Sequence, residues 1–286
     1  MDKFRILIAG CGDVGRALAN LLCDNHVVYA LRRSKRNYEN SIHSIQADLL
    51  NPDSLKALPA VDIVVYCLAP GPQDSNKSIE QRYQETYIDG FRHLVNALTH
   101  TPKRIFFTSS TSVYAQGNHE WVNEESPTEP LSIKGQLMLK AEQQALNNLV
   151  PATVVRFSGI YAFNRLYFLK QVMQGKVSPM QPIKYTNRIH RDDCARVLAH
   201  LINLVFQQKP IESIYLASDD EPAGIGEVSH YLAAASNSAI KSLSEARSTP
   251  SKRCDNNRLK ASGFVFQYPN YKAGYHSILQ QLAKPT

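Results

Sequence analysis

The chain lacks several features that would assign its class directly. It has one tryptophan and four methionines, and no apolar run approaches the length needed to cross a bilayer, so no membrane association is expected. Its start, MDKFRILIAGCG, passes straight into a strand-like pattern rather than a signal peptide, which makes a cytoplasmic location the expectation. The five cysteines, Cys11, Cys23, Cys67, Cys194 and Cys254, show no metal-ligand spacing, and their odd number argues against a disulfide framework. Buried thiols and no metal are therefore expected. Internal repeats and low-complexity segments are also missing.

What is present is ordinary for a folded enzyme-sized chain. With 286 residues, 43% hydrophobic and 20% charged, it can bury a sizeable core. The net charge of +7 and pI near 9.1 raise the question of nucleic acid. The lysines and arginines are dispersed and not interleaved with aromatics, so no nucleic-acid partner is expected, and phosphate-bearing small molecules account better for part of the charge.

Short apolar runs alternate with helical patterns over the first 160 residues. FRILIAG, HVVYAL, VDIVVYCLA, KRIFFTSS and ATVVRFSG read as strands, and helices are clearest over residues 14–23, 78–99 and 134–149. This alternation predicts an α/β, Rossmann-type, doubly wound parallel sheet. Residues 1–160 are expected to form the dinucleotide-binding core. Residues 161–286 are expected to be mainly a small C-terminal substrate lobe, with segments packing back on the core; helices are expected near 166–174, in DDCARVLAHLINLV and in GIGEVSHYLAAAS, and a strand in SIYLAS.

GCGDVG, from Gly10 to Gly15, follows a strand and opens a helix, the context in which G-x-G-x-x-G binds a dinucleotide. Gly10 serves the tight turn, Gly12 the approach of the pyrophosphate and Gly15 the packing of helix on strand. Asp13 and Val14 lie in the same turn, where free backbone N–H groups face the phosphates. After the second strand, Arg32 and Arg33 occupy the place of the acidic residue that binds a free ribose 2′-hydroxyl. Two guanidiniums suit a 2′-phosphate, which predicts NADP(H), with NAD possible; a solvated basic cluster is the alternative. Asp48 and Leu49 follow the third strand and suit the adenine, while Leu68 and Ala69 end the fourth, where the cofactor comes close.

Together with FFTSSTSVYAQ, VNEESPTEP, VVRFSGIYAFNR, RIHRDDCARVL and SDDEP, these motifs make the chain similar to the extended short-chain dehydrogenase/reductases, the NAD-dependent epimerase/dehydratase family, along nearly its whole length. The resemblance implies a catalytic serine at Ser110, with Ser109 beside the cofactor, and a Tyr-x-x-x-Lys pair on the next helix. Aligned on Glu142, the tyrosine position holds Lys134 and the lysine position Met138, and no tyrosine lies between Gln116 and Val150. The chain therefore resembles an atypical branch without the dyad. A phenol with a pKa near 10 needs a neighbouring cation to act as a base at neutral pH, so the loss is chemical as well as formal.

Three substitutes are open: Lys134 if desolvated, Tyr161, and Tyr114 if it turns inward. His190 is expected to anchor the lobe rather than to catalyse. Asn164, Arg165 and Arg188 are candidates for an anionic substrate. Two functions follow: an NAD(P)-dependent oxidoreductase or epimerase/dehydratase-like protein acting on a small, sugar-like or anionic carbonyl compound, or an NADP(H)-binding sensor without turnover. A monomer and a homodimer are equally compatible.

Overall fold

The computed structural model describes residues 3–38, 41–71, 76–244 and 250–284. Seven strands form one sheet: β1 (Arg5–Ala9), β2 (Val27–Arg32), β3 (Ile42–Gln46), β4 (Ile63–Tyr66), β5 (Arg104–Ser110), β6 (Ala152–Phe157) and β7 (Ile214–Ala217), in the order β7-β6-β5-β4-β1-β2-β3. The pairings of β1 with β2 and β4, of β2 with β3, and of β4 with β5 are parallel. This is the Rossmann-type architecture that the alternating pattern predicted. Order reverses beside β1, and in such sheets the ligand crevice opens at the carboxyl ends of the strands on either side of the reversal.

The central strands owe their place to residues that fit a sheet buried on both faces. Ile6, Leu7, Ile8 and Ala9 of β1 and Ile63, Val64, Val65 and Tyr66 of β4 are fully buried. The helix Asp13–Leu22 leaves β1 through the glycine turn and buries Val14, Leu18 and Leu22. The expected 78–99 helix is three pieces: Ile79–Tyr83, capped by Ser78, a π-helical turn at Gln84–Asp89, and Gly90–Asn96. The buried Tyr66 hydroxyl donates to the Thr86 carbonyl at 2.5 Å, inside that wide turn.

The chain divides into two compact units that are discontinuous in sequence. The first comprises residues 1–114, 128–156 and 195–215, and the second residues 115–127, 157–194 and 216–286. In unit 2, Tyr161, Leu169, Val172, Val228, Leu232, Tyr271, Tyr275 and Ile278 form an apolar core. The same unit pairs Asn118–Val122 in parallel with Ser251–Cys254 and ends in the helix Tyr271–Leu282, neither of which the sequence pattern indicated. Asn270 caps that helix by accepting the Ala273 N–H at 3.0 Å.

Candidate functional site

The glycine turn has the geometry its sequence implies. Gly10 has φ +90°, and a side chain there would place its Cβ 2.5 Å from the Cys67 carbonyl oxygen, at the end of β4. A Cβ on Gly15 would come 2.6 Å from the Gly10 carbonyl oxygen. Gly12 differs: the nearest atom to its notional Cβ is 3.9 Å away, so nothing in the protein requires glycine there by contact. Asp13 and Val14 form the first turn of the helix whose N-cap is Gly12, and no side chain caps that helix. A helix start of this kind turns backbone N–H groups toward an anion.

Around this turn, Leu49 is buried and its carbonyl accepts from His93 Nδ1 at 2.7 Å. Asp48 is half-buried, and its carboxylate accepts the Leu50 N–H at 3.0 Å. Leu68 is half-buried with its Cγ 2.8 Å from the position of a Gly10 Cβ, and Ala69 is exposed. Arg32 ends β2, half-buried, and Arg33 is exposed with one Nη near Gly71. Neither arginine has a carboxylate partner among the described residues. A glycine turn without obstruction at Gly12 and two unpaired guanidiniums at the β2 end fit the phosphates of a dinucleotide.

Ser110 closes β5 and is half-buried. Its Oγ accepts the Ser112 N–H at 3.1 Å, which leaves the hydroxyl hydrogen available to donate. Gly135 brings the start of the helix Ile133–Leu146 against this turn, since a Cβ there would lie 2.6 Å from the Ser112 carbonyl oxygen. Ser109 points the other way. Its buried hydroxyl donates to Glu142, so only its backbone remains to meet a cofactor.

The three dyad substitutes have different surroundings. Lys134 is exposed in the first helical turn. Met138, one turn on, is buried at 4% exposure. Tyr114 does turn inward: its hydroxyl accepts from Arg156 Nη1 at 2.8 Å. Arg156 in turn grips Glu142 through Nε and Nη2, at 3.0 and 2.7 Å. Burial works against the Arg156 charge, and the Glu142 carboxylate more than offsets it, so the guanidinium is held protonated. Ser109, Glu142, Arg156 and Tyr114 thus form a closed buried network behind Ser110, and the Tyr114 phenol belongs to it.

Tyr161 is placed differently from the expectation that it could supply a proton. Its side chain is buried in the unit 2 core, stacked on Tyr275, with the hydroxyl 3.5 Å from the Asn270 carbonyl and against Gly274, where any side chain would collide with it. Burial pushes its phenol upward, and the Asp219 charge adds to the shift. The geometry therefore argues against it as an acid or base. Asn164 and Arg165 are exposed in the loop that follows. Arg188 is buried at 8% exposure, with Nη1 donating to Thr186 Oγ1 at 2.5 Å and the guanidinium over the Phe168 ring. His190 is buried, packed against Tyr161 and Tyr268, in keeping with an anchoring role.

Also in unit 2, Asp219 is buried at 1% exposure, and among the described residues neither carboxylate oxygen closes a hydrogen bond of good geometry. Burial holds its carboxyl well above the usual range. Arg188 and the Glu221 backbone pull it down, while Asp220 and Glu221 push it further up, and the Tyr161 phenol and Cys254 thiol also face it. The folded chain keeps a proton that the unfolded chain gives up near pH 3.9. The resulting stability is greatest below that value and is lost as pH rises toward the folded pKa. Asp219→Asn should therefore raise the thermal midpoint more at pH 8 than at pH 4; an equal shift at both would show that the carboxyl is not held neutral.

The model of the RmlD substrate binding domain family matches residues 4–284. No curated protein matches the chain in sequence. Among solved structures, a Methylobacillus flagellatus protein named for the NAD-dependent epimerase/dehydratases is 33% identical, with 99% of this chain and 100% of that one covered and a TM-score of 0.83. The human epimerase family protein SDR39U1, solved with NADPH, is 19% identical over 96% of this chain and 99% of that one, with a TM-score of 0.78. MoeE5, solved with UDP-glucose and NAD, is 19% identical over 98% and 100%, also at 0.78. At these last two identities the likeness shows the fold.

Proposed function

This chain belongs to the RmlD substrate binding domain family, among the NAD-dependent epimerase/dehydratases of atypical short-chain dehydrogenase/reductase type, and we propose that it binds NADP(H) in unit 1 and acts as an oxidoreductase or epimerase on a small, sugar-like or anionic carbonyl compound. The observation that carries the reading is the glycine turn with unpaired Arg32 and Arg33 at the end of β2. NADPH and NAD in the similar structures, and UDP-glucose in one of them, support the ligand classes.

When bound, the cofactor would supply or accept the hydride. Gly10, Gly12, Asp13, Val14 and Gly15 would hold its pyrophosphate, Arg32 and Arg33 its 2′-phosphate, and Asp48 and Leu49 the adenine, with Leu68, Ala69 and the Ser109 backbone beside the rest. Ser110 would donate its uncommitted hydroxyl hydrogen to a substrate oxygen. Lys134, on the helix turn packed against Ser112, is the candidate proton carrier, and Asn164, Arg165 and Arg188 are candidates for the substrate anion.

The buried Met138 favours a second reading, a nucleotide-responsive protein without turnover, because the sequence position of the family lysine holds an uncharged side chain. Titration with NADPH and NADH at fixed salt, followed by nicotinamide fluorescence, tests what both readings share. NADPH is expected to bind at least about tenfold more tightly, as one forked phosphate contact allows. Equal affinities would remove the 2′-phosphate site, and no binding of either would remove the cofactor. With NADPH bound, turnover of carbonyl compounds by the wild type and not by Ser110→Ala separates enzyme from sensor.

A further inference from the structure

The outward face of the strand pair Asn118–Val122 and Ser251–Cys254 in unit 2 takes no part in the cofactor reading. Val122 and Cys254 are buried beneath it, while Trp121 and the half-buried Arg253, paired in the ladder, stand on the outside. Trp121 is the single tryptophan of the chain and is 55% exposed. The Arg253 guanidinium lies 4.8 Å from the centroid of the indole and 5.3 Å from that of the Tyr185 ring. Its Nε donates to the His119 carbonyl at 2.9 Å, and neither Nη meets a carboxylate among the described residues.

This arrangement holds a strained residue in place. His119 has φ +63°, left-handed backbone that a residue with a side chain seldom adopts. The turn brings its carbonyl to Arg253, sets its ring edge-on to Tyr185 at 5.3 Å and lets Nε2 donate to the Ile183 carbonyl at 3.0 Å. A guanidinium fixed against two rings, with Nε already committed, keeps its remaining donors in the planar fork that matches a carboxylate. Tryptophan, tyrosine and arginine in mutual contact are also the residue types that dominate the energy of protein interfaces. Strand addition is disfavoured here. Glu120 accepts the Gly117 and Asn118 N–H groups at 3.1 and 3.4 Å, and the left-handed His119 interrupts the strand, so the edge is blunted. A nucleic-acid strand would call for a track of cations, whereas the cation among these rings is Arg253.

We propose that this face docks an extended acidic, proline-containing segment of a partner protein, with a carboxylate forked onto Arg253 and a neighbouring proline ring lying on Trp121. Charge complementarity sets the carboxylate, because a guanidinium without a counter-charge is matched by an acid across the interface. The exposed indole sets the proline, whose rigid ring packs on aromatic surface with little conformational entropy to lose. The inference is independent of coenzyme and of turnover.

The test uses the full chain at low salt and a short capped peptide of alternating glutamate and proline. Because Trp121 is the only tryptophan, its emission reads this face directly. The peptide should shift that emission saturably, with a Kd on the order of 1 mM or tighter, and shield the indole from acrylamide. A lysine-proline peptide should leave the emission unchanged, and a glutamate-glycine peptide should bind several-fold more weakly. Arg253→Gln should weaken binding at least about tenfold, the effect of losing a forked charge-assisted contact, and Arg253→Lys, which keeps the charge but not the fork, should do nearly the same. Both variants are read well below their thermal midpoints. Absence of a saturable shift with the glutamate-proline peptide overturns the inference, as does wild-type affinity in Arg253→Lys. A shift with oligothymidylate and not with the peptide would assign the face to nucleic acid, and a shift that grows with protein concentration alone would assign it to a second copy; either result overturns it as well.

Discussion

Glu142→Ala is expected to destabilise unit 1 by about 3–5 kcal/mol, the usual consequence of leaving one member of a buried ion pair without its partner. Arg156 is 3% exposed and Glu142 1%, so water cannot replace the lost carboxylate. Three hydrogen bonds from Arg156 and one from Ser109 end on those two oxygens, and each donor would be left buried. Unfolding should be followed by circular dichroism. The single tryptophan, Trp121, lies in unit 2 and reports on the other unit. A double variant, Glu142→Leu with Arg156→Met, should recover much of the loss, because it removes both charges and keeps the volume. A cost of less than about 1 kcal/mol for the single change would mean that the pair is far better hydrated than its burial implies.

The network also bears on why the missing dyad leaves the fold intact. Positions 134, 138 and 142 follow one another at helical spacing, so a single stripe of the helix Ile133–Leu146 runs from exposed Lys134 through buried Met138 to buried Glu142. In this chain the stripe is polar at its deep end, where Glu142 holds Arg156 of β6 and Ser109 of β5. Ser110 follows directly on a residue fixed by that network. The strand end that carries the serine is therefore held in place by charges that take no part in the dyad.

Much of this could be read beforehand, and the failures have physical causes. The glycine turn, the central strands and Ser110 follow from local patterns, because a strand buried on both faces must be apolar and a βα turn must be tight. β3 is legible only as the third strand that must precede Asp48 and Leu49, because it carries no such run of its own: it is an edge strand with only Ile42 buried, and half-exposed strands keep polar residues. The helix Tyr271–Leu282 was hidden by its composition, although Tyr271, Gly274, Tyr275 and Ile278 stand at helical spacing on its buried face. Arg156 is a legible signal, since an arginine inside the apolar run ATVVRF implies a buried acid opposite. The burial of Tyr161 depends on a helix more than a hundred residues later in the chain, beyond any local pattern.

The glycine turn offers the sharpest separation of folding from binding. Gly10→Ala would force a side chain into left-handed backbone, a cost of about 1–2 kcal/mol, and press its Cβ to 2.5 Å from the Cys67 carbonyl. β4 would have to move, so this variant should lose stability and nucleotide together. Gly15→Ala meets the Gly10 carbonyl at 2.6 Å and should behave in the same way. Gly12→Ala meets nothing closer than 3.9 Å, and its fold should be retained. If the pyrophosphate passes over Gly12, the added methyl group occupies the space it needs, and NADPH affinity should fall at least about a hundredfold, the effect of losing nearly 3 kcal/mol of phosphate contacts. Thermal midpoint and NADPH titration on the same three preparations check this. A folded Gly12→Ala that binds NADPH as wild type would mean that the phosphates lie elsewhere, and the nucleotide site would have to be drawn again around Arg32 and Arg33 alone.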